Sequence, residues 1–282
     1  MSKIFIIIPP TSIEHKEEIA SNFDALLEYA KEHRYNLEFT IFLTMGRPLY
    51  PDFLGANGQE ILKDFQRKLH GFKGAVSVHG AICDPIRSED KKVREAAKQM
   101  IFQSLEIARE LKAERVVFHG NFNPLMQNDE HYKLNWIERN AIFWPEVLEK
   151  YPPTVVLENT FEPTPEMFRA LLGEVSSSRL KVCLDMGHMN VWSKVPLEEW
   201  IAVLGEDIHS MHIHDNKGDY DYHLVPGKGT INWQEFSDLI AKYQIDPDIV
   251  FEVKTLETTI QSLKYFREEN LYPFNTFTGH SM

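Results

Sequence analysis

Eight short apolar runs punctuate the chain: KIFIII (3–8), LEFTIFL (37–43), GAVSVH (74–79), RVVFH (115–119), TVVLE (154–158), LKVCLD (180–185), HSMHIH (209–214) and DIVFE (248–252). Each has strand length, and most are rich in β-branched residues. Between them lie stretches with helical spacing, at 15–33, 58–70, 90–111, 134–150, 165–174, 197–204, 233–243 and 257–269. In 90–111, for example, Val93, Ala97, Met100, Ile101, Leu105, Ala108 and Leu111 fall on one face, and most other positions are polar. Strand starts are separated by roughly 26–41 residues, about what a strand–helix unit requires. Such alternation implies a parallel sheet covered by helices. Eight units in 282 residues predict a single (β/α)8 TIM barrel. An open doubly wound sheet is the alternative, but it normally needs fewer strands, and no GxGxxG follows the first run. No linker-like stretch divides the chain, so one domain is expected over 1–282, with 271–282 as a C-terminal tail.

What ends the apolar runs carries the chemistry. His79, His119, Glu158, Asp185 and Glu252 end strands 3, 4, 5, 6 and 8. His212 lies near the end of strand 7, His188 follows Asp185 by three residues, and Asp221 and His223 lie in the loop after strand 7. In a TIM barrel the C-terminal strand ends share one mouth, where chemistry is found. Taken singly, each residue has a plain structural explanation: a hydrogen-bonded histidine, a helix-capping Asp185, a loop His188. Taken together they do not, because several carboxylates buried side by side are costly unless a cation neutralises them. Neutral imidazoles beside them supply further metal ligands. A divalent-metal site is the simplest account.

The densest segment is MHIHDNKGDYDYHLVPGKGTINW, residues 211–233. His214 shares strand parity with His212 but lies further out, which leaves ligand support, substrate contact and plain loop open. Asp215 is likewise open, and Asp219 reads as a turn residue. His15, His33, His70, His131 and His280 read as solvated, and His209 as facing the helix layer.

Composition narrows the function classes. Net charge is −12, from 42 acidic and 30 basic residues, with no long basic run. Bulk attraction to nucleic acid or to an anionic membrane is therefore not advertised. Two distant cysteines, Cys83 and Cys183, argue against a disulfide framework and for a reduced, cytoplasmic setting. The apolar run at 4–8 is too short for a signal or membrane segment.

The motifs VSVHG (76–80), VVFHG (116–120), VVLENT (155–160), VCLDMGH (182–188), MHIHDNKG (211–218), DYHLVPGKGTINW (221–233) and FEVK (251–254) resemble the xylose-isomerase-like TIM barrel superfamily over essentially the whole chain. That superfamily includes sugar and sugar-phosphate isomerases and epimerases, and the endonuclease IV type of abasic-site enzyme (AP endonuclease family 2). The first branch implies one divalent metal held by Glu158, Asp185, His212 and Glu252. The second implies three zincs, with His79, His119, His188, Asp221 and His223 added to those four. Zinc or manganese suits the histidine-rich set better than magnesium, with cobalt also compatible.

The surroundings favour the first branch. IIIPPTS (6–12) replaces the GxHxS-like stretch of the nucleases, and Ile82 replaces an aromatic expected after His79. MGHMNVW and GKGTINW are similar to the isomerase and epimerase branch. The expectation is a metal-dependent sugar or sugar-phosphate isomerase or epimerase working through a metal-stabilised enediolate. Glu158 and Glu252 would be its base and acid, and His188 would orient a hydroxyl. Arg47, His214, Lys254 and Trp233 are candidate substrate contacts; core packing at a helix start is the equal alternative for Trp233. Gly227 and Gly229 would either let the loop backbone approach a ligand or serve turn chemistry. A phosphodiester hydrolase acting on DNA is the alternative function. The expected partner is a small sugar, with DNA only under the alternative, no membrane, and a homo-oligomer open. Specificity is expected in the loops 44–57 and 121–133.

Overall fold

The computed structural model describes residues 2–8, 16–41, 56–84, 86 and 88–275. Eight parallel strands close into a barrel: β1 (Ile4–Ile8), β2 (Asn36–Thr40), β3 (Val76–His79), β4 (Arg115–His119), β5 (Thr154–Glu158), β6 (Leu180–Asp185), β7 (Ile208–Ile213) and β8 (Asp248–Phe251). Closure comes from β1 pairing with β8. The helices are α1 (Lys16–His33), α2 (Ala56–Lys68), α3 (Lys91–Glu110), α4 (Glu130–Lys150), α5 (Glu166–Val175), α6 (Met186–Trp192), α7 (Leu197–Leu204), α8 (Trp233–Tyr243) and α9 (Leu256–Glu268). No helix among the described residues is long and apolar enough to cross a membrane.

The expected (β/α)8 barrel is therefore the observed architecture. Among the helices, two depart from the periodicity reading by more than two residues, for local reasons. α4 starts at Glu130 rather than 134, because the Asp129 carboxylate accepts the Tyr132 N–H and caps a turn whose side chains are not apolar. α6 is an extra element of seven residues, too short to show a period. Asp185 caps it by accepting the His188 N–H at 2.6 Å.

Strand parity separates two layers. Ile6, Ile8, Leu37, Phe39, Val78, Val116, Phe118, Leu157, Leu184, Met211, Ile213 and Phe251 are buried in the continuous core shared with the helices. The opposite parity fills the barrel interior, where Val117, Val156 and Cys183 form a separate apolar cluster. Every strand-borne residue singled out above for metal binding has that inner parity. Register then sets neighbours side by side at one end of the barrel: His119 opposite Glu158, and Asp185 opposite His212.

The interior also holds a buried polar group. Arg115 on β4 is fully buried and donates from Nη1 to Asp248 Oδ2 at 2.6 Å, with Nη2 3.6 Å from Glu38 Oε2. Its guanidinium lies 4.1 Å from the centroid of the Phe5 ring. Ser77 Oγ donates to Glu38 Oε2 at 2.6 Å. Removing one partner of a buried charge network leaves the others uncompensated, at about 3–5 kcal/mol. Arg115→Met is expected to lower stability by about that much. Urea unfolding measures it, and a loss within about 0.5 kcal/mol, the range of ordinary surface changes, would show the network to be energetically idle.

Candidate metal centre

Glu158, Asp185, His212 and Glu252 form the inner group, with one ligand atom from each lying within 4.8 Å of the others. All four are buried. Glu252 lies one residue past the end of β8, and the other three sit on β5, β6 and β7. His212 Nδ1 is 3.0 Å from Glu252 Oε2, 3.6 Å from Glu158 Oε1 and 3.7 Å from Asp185 Oδ2. Asp185 divides its work: Oδ1 caps α6, while Oδ2 faces the group. The capping and ligand readings of Asp185 thus coexist.

Histidines flank this group. His79 Nε2 is 2.9 Å and His119 Nε2 3.6 Å from Glu158 Oε2. His188 Nδ1 is 3.1 Å from Glu158 Oε1, and its Nε2 is 3.5 Å from Asp221 Oδ2. His223 Nε2 is 2.9 Å from the same Asp221 oxygen. His214, open in the sequence, links the inner and outer sets: its Nε2 is 3.0 Å from Asp185 Oδ2, its Nδ1 3.6 Å from Asp221 Oδ1, and its ring stacks on His223 at 4.0 Å. The structure therefore brings all nine expected ligands, and His214, into one cluster. Metal-compatible spacing recurs in His79–His119–Glu158, Asp185–His188–His214 and His214–Asp221–His223. The outer members open to solvent, with side-chain exposures of 12% for His188, 23% for His223 and 28% for Asp221.

On Glu158, Asp185, Asp221, His79, His119, His188, His212 and His223 burial opposes charge, and neighbouring opposite charges outweigh it on all but His119. Glu158 is held well below the usual carboxylate range by His212 and His119. Asp185 is held at about 2 by His188 and His214. Asp221 is also lowered, by His188 and His223. His188 and His212 are raised well above an ordinary imidazole, and His223 to about 9. His119 is the exception, where burial wins and lowers it to about 4. Protonated imidazoles thus balance the carboxylates, the role a cation would assume.

The donor atoms fit such a cation. Glu158 Oε1, Glu252 Oε2, His212 Nδ1, His214 Nδ1 and Asp221 Oδ1 are buried without a hydrogen bond. Leaving a buried polar group unsatisfied costs about 1–3 kcal/mol each, so this concentration calls for an external partner. Glycine is required where α6 meets β7: a Cβ on Gly187 would lie 1.9 Å from the His214 ring.

The loop carrying Asp221 and His223 is organised by Asp215. Its carboxylate accepts from the N–H of Asn216, Gly227 and Ile231 and from Trp233 Nε1. Asp215 and Leu224 exchange backbone hydrogen bonds of 2.8 Å. A Cβ on Gly229 would lie 2.0 Å from the Asn216 carbonyl oxygen, so this glycine permits close backbone approach. Asp219 is exposed, as a turn residue would be. Asp215→Ala is expected to cost several of these bonds and to speed amide exchange across 216–231, with the barrel strands unaffected. Unchanged exchange would mean that the loop holds its shape by other means.

Of the candidate substrate contacts, Trp233 requires correction. It is buried at the start of α8, packed on Phe236 and Phe266, with its indole spent on Asp215. It offers no face to a sugar. Lys254 is exposed, two residues past Glu252. Arg47 lies outside the described residues.

Two participants escaped the sequence reading. Asn159 Oδ1 accepts the Asp185 N–H at 2.7 Å and its Nδ2 donates to the Asp185 carbonyl at 3.1 Å, locking β5 to β6 beside the ligands. Glu38 lies fully buried on β2, with Oε1 2.9 Å from His212 Nε2. A charged residue within the apolar run LEFTIFL was the available signal.

A parallel eightfold barrel whose C-terminal mouth collects carboxylates and imidazoles defines a TIM barrel with a metal-ligand type of site. The sequence pattern of one family, described as xylose isomerase-like TIM barrel, matches residues 39–269. The chain belongs to that family. It is 28% identical to the uncharacterized protein MJ1311 of Methanocaldococcus jannaschii over 64% of this chain and 64% of that protein. It is 25% identical to the uncharacterized protein y4fM of Sinorhizobium fredii over 62% of this chain and 58% of that protein. The chain thus spans a little under two thirds of the length of these relatives.

Among solved structures, a D-tagatose 3-epimerase-like protein shares the fold at TM-score 0.72 and 23% identity, covering 94% of this chain and 96% of that one. The TTHB071 protein from Thermus thermophilus, soaked with zinc chloride, does so at TM-score 0.69 and 23% identity, over 94% and 96%. The IOLI protein with a bound zinc atom matches at TM-score 0.67 and 14% identity, over 94% and 97%.

Proposed function

We propose that the protein is a divalent-metal-dependent isomerase or epimerase of sugars or sugar phosphates, acting through an enediolate. The observation that carries this reading is the inner group: two carboxylates from β5 and from beyond β8, Glu158 and Glu252, converging on His212 Nδ1 with unpartnered oxygens. The D-tagatose 3-epimerase-like neighbour supports the substrate class. Glu158, Asp185, His212 and Glu252 would hold the metal, zinc or manganese by the donor types, with magnesium or cobalt as substitutes. The metal would supply electrophilic polarisation of the substrate carbonyl.

The remaining work falls to side chains. Glu158 and Glu252, reaching the site from different strands, would remove and return the proton at the carbon beside the carbonyl. His188, close to Glu158 and Asp221, would orient a substrate hydroxyl. The burial of the inner group excludes water, which strengthens each of these interactions.

A second reading, a multinuclear phosphodiester hydrolase acting at abasic sites in DNA, draws support from the additional metal-compatible groups around His79 and His119 and around Asp221 and His223. Metal analysis of purified protein separates the two. About one ion per chain, with solvent deuterium entering a ketose, supports the isomerase. About three ions, with cleavage of abasic duplex DNA and no exchange into any sugar, would replace it with the hydrolase.

A further inference from the structure

We infer that Glu38 is a positioning residue for His212, holding its imidazole so that Nδ1, not Nε2, is the nitrogen offered to a metal. The inference rests on the metal reading of the inner group.

The two carboxylate oxygens of Glu38 face different neighbours. Oε2 takes the Ser77 hydroxyl at 2.6 Å and lies 3.6 Å from Arg115 Nη2. Oε1 lies in ion-pair contact with His212 Nε2 at 2.9 Å, within donor–acceptor distance though off the hydrogen-bond line. On the other side of the same ring, Nδ1 looks at Glu252, Glu158 and Asp185. Glu38 belongs to none of the metal-compatible groups among the described residues, so it reaches the site only through the imidazole.

The plain alternative makes Glu38 the partner of Arg115. Distance argues against it: Arg115 is engaged by Asp248 at 2.6 Å, a full ångström closer than Glu38, whereas the charged group nearest to Glu38 is His212. Ser77, hydrogen-bonded to Oε2, therefore anchors the carboxylate from below, leaving Oε1 for the ring. A carboxylate on one imidazole nitrogen keeps the proton there, frees the other lone pair for a cation and raises its basicity. Without it, the tautomer carrying its proton on Nδ1 competes, and that form cannot ligate from the side facing the carboxylates.

Glu38→Gln keeps the shape and an acceptor for Ser77 but removes the charge. Zinc and cobalt affinity are read by competition with a chromophoric chelator, and the cobalt-loaded protein is examined by visible absorption. The expected result is an affinity loss of about 10–100-fold with an altered cobalt spectrum. Glu38→Asp, which withdraws the carboxylate from the ring while keeping charge opposite Arg115, should show the same loss if the first variant does not fold. Wild-type affinity and an unchanged spectrum in whichever variant folds would overturn the inference alone. Failure of the wild-type protein to take up either metal would overturn the metal reading and this inference with it.

Discussion

Glu252→Gln is expected to lower turnover of a ketose substrate by about 10²–10⁴-fold, the usual contribution of a general acid or base. This variant is cleaner than its counterpart at Glu158. The side chain of Glu252 approaches His212, whereas Glu158 also lies against His79, His119 and His188. Losing Glu158 therefore disturbs several neighbours, and Glu158→Gln should be the more damaging to metal retention. In a two-base epimerisation each carboxylate serves one face of the substrate. Solvent deuterium should then enter from one epimer in Glu252→Gln and from the other in Glu158→Gln. Turnover within about tenfold of wild type in both variants, well short of what acid–base catalysis contributes, would rule out the assignment of base and acid.

Removal of metal should have an effect of similar size. Dialysis against a chelator is expected to abolish turnover, and manganese, zinc or cobalt to restore it. The same step should lower thermal stability, because a ligand that binds only the folded state contributes about 2.7 kcal/mol at a free concentration near 100 times its Kd. The loss has a pH signature. In the metal-free protein His223, raised to about 9 from an unfolded value near 6.5, contributes stability that is fully present below about 6.5. That contribution disappears as pH rises through about 9. His188 and His212 are raised in the same direction. The metal-free melting temperature should therefore fall between about pH 6.5 and 9. In the loaded protein His212 is already neutral, so its share of this fall should vanish and the slope should be shallower than without metal. Equal slopes with and without metal would mean that His212 is not a ligand.

The metal-ligand candidates were legible because they obey two rules at once. Each strand-borne one ends or nearly ends an apolar run, and each has the parity that closure turns inward. His79, His119, Glu158, Asp185 and His212 are selected by those rules from the sequence alone. Glu38 obeys only the second. It sits in mid-strand, where its charge within an apolar run is the one local hint, and its facing the barrel axis is fixed only when β1 and β8 close the ring. Trp233 failed for a different reason. Its direction is set by the bond to Asp215, eighteen residues earlier, and a sequence reading has no access to which way that carboxylate points. His214 was undecidable for the same reason, since its place between Asp185 and Asp221 depends on the absence of a side chain at Gly187.

The bonds of Asp215 have a consequence for engineering. They close the segment from Asp215 to Trp233 upon itself, so its shape is written largely within its own sequence. Such a segment is a graftable cassette. Moved as one piece onto the seventh strand of another barrel, it should carry Asp221 and His223 with it in working orientation. The recipient must supply the partners the segment uses outside itself: the Gly187 carbonyl for Asn216, an amide like that of Asn190 for Asn216 and Thr230, the Glu252 carbonyl for His223 Nδ1, and room where Gly227 meets Tyr265.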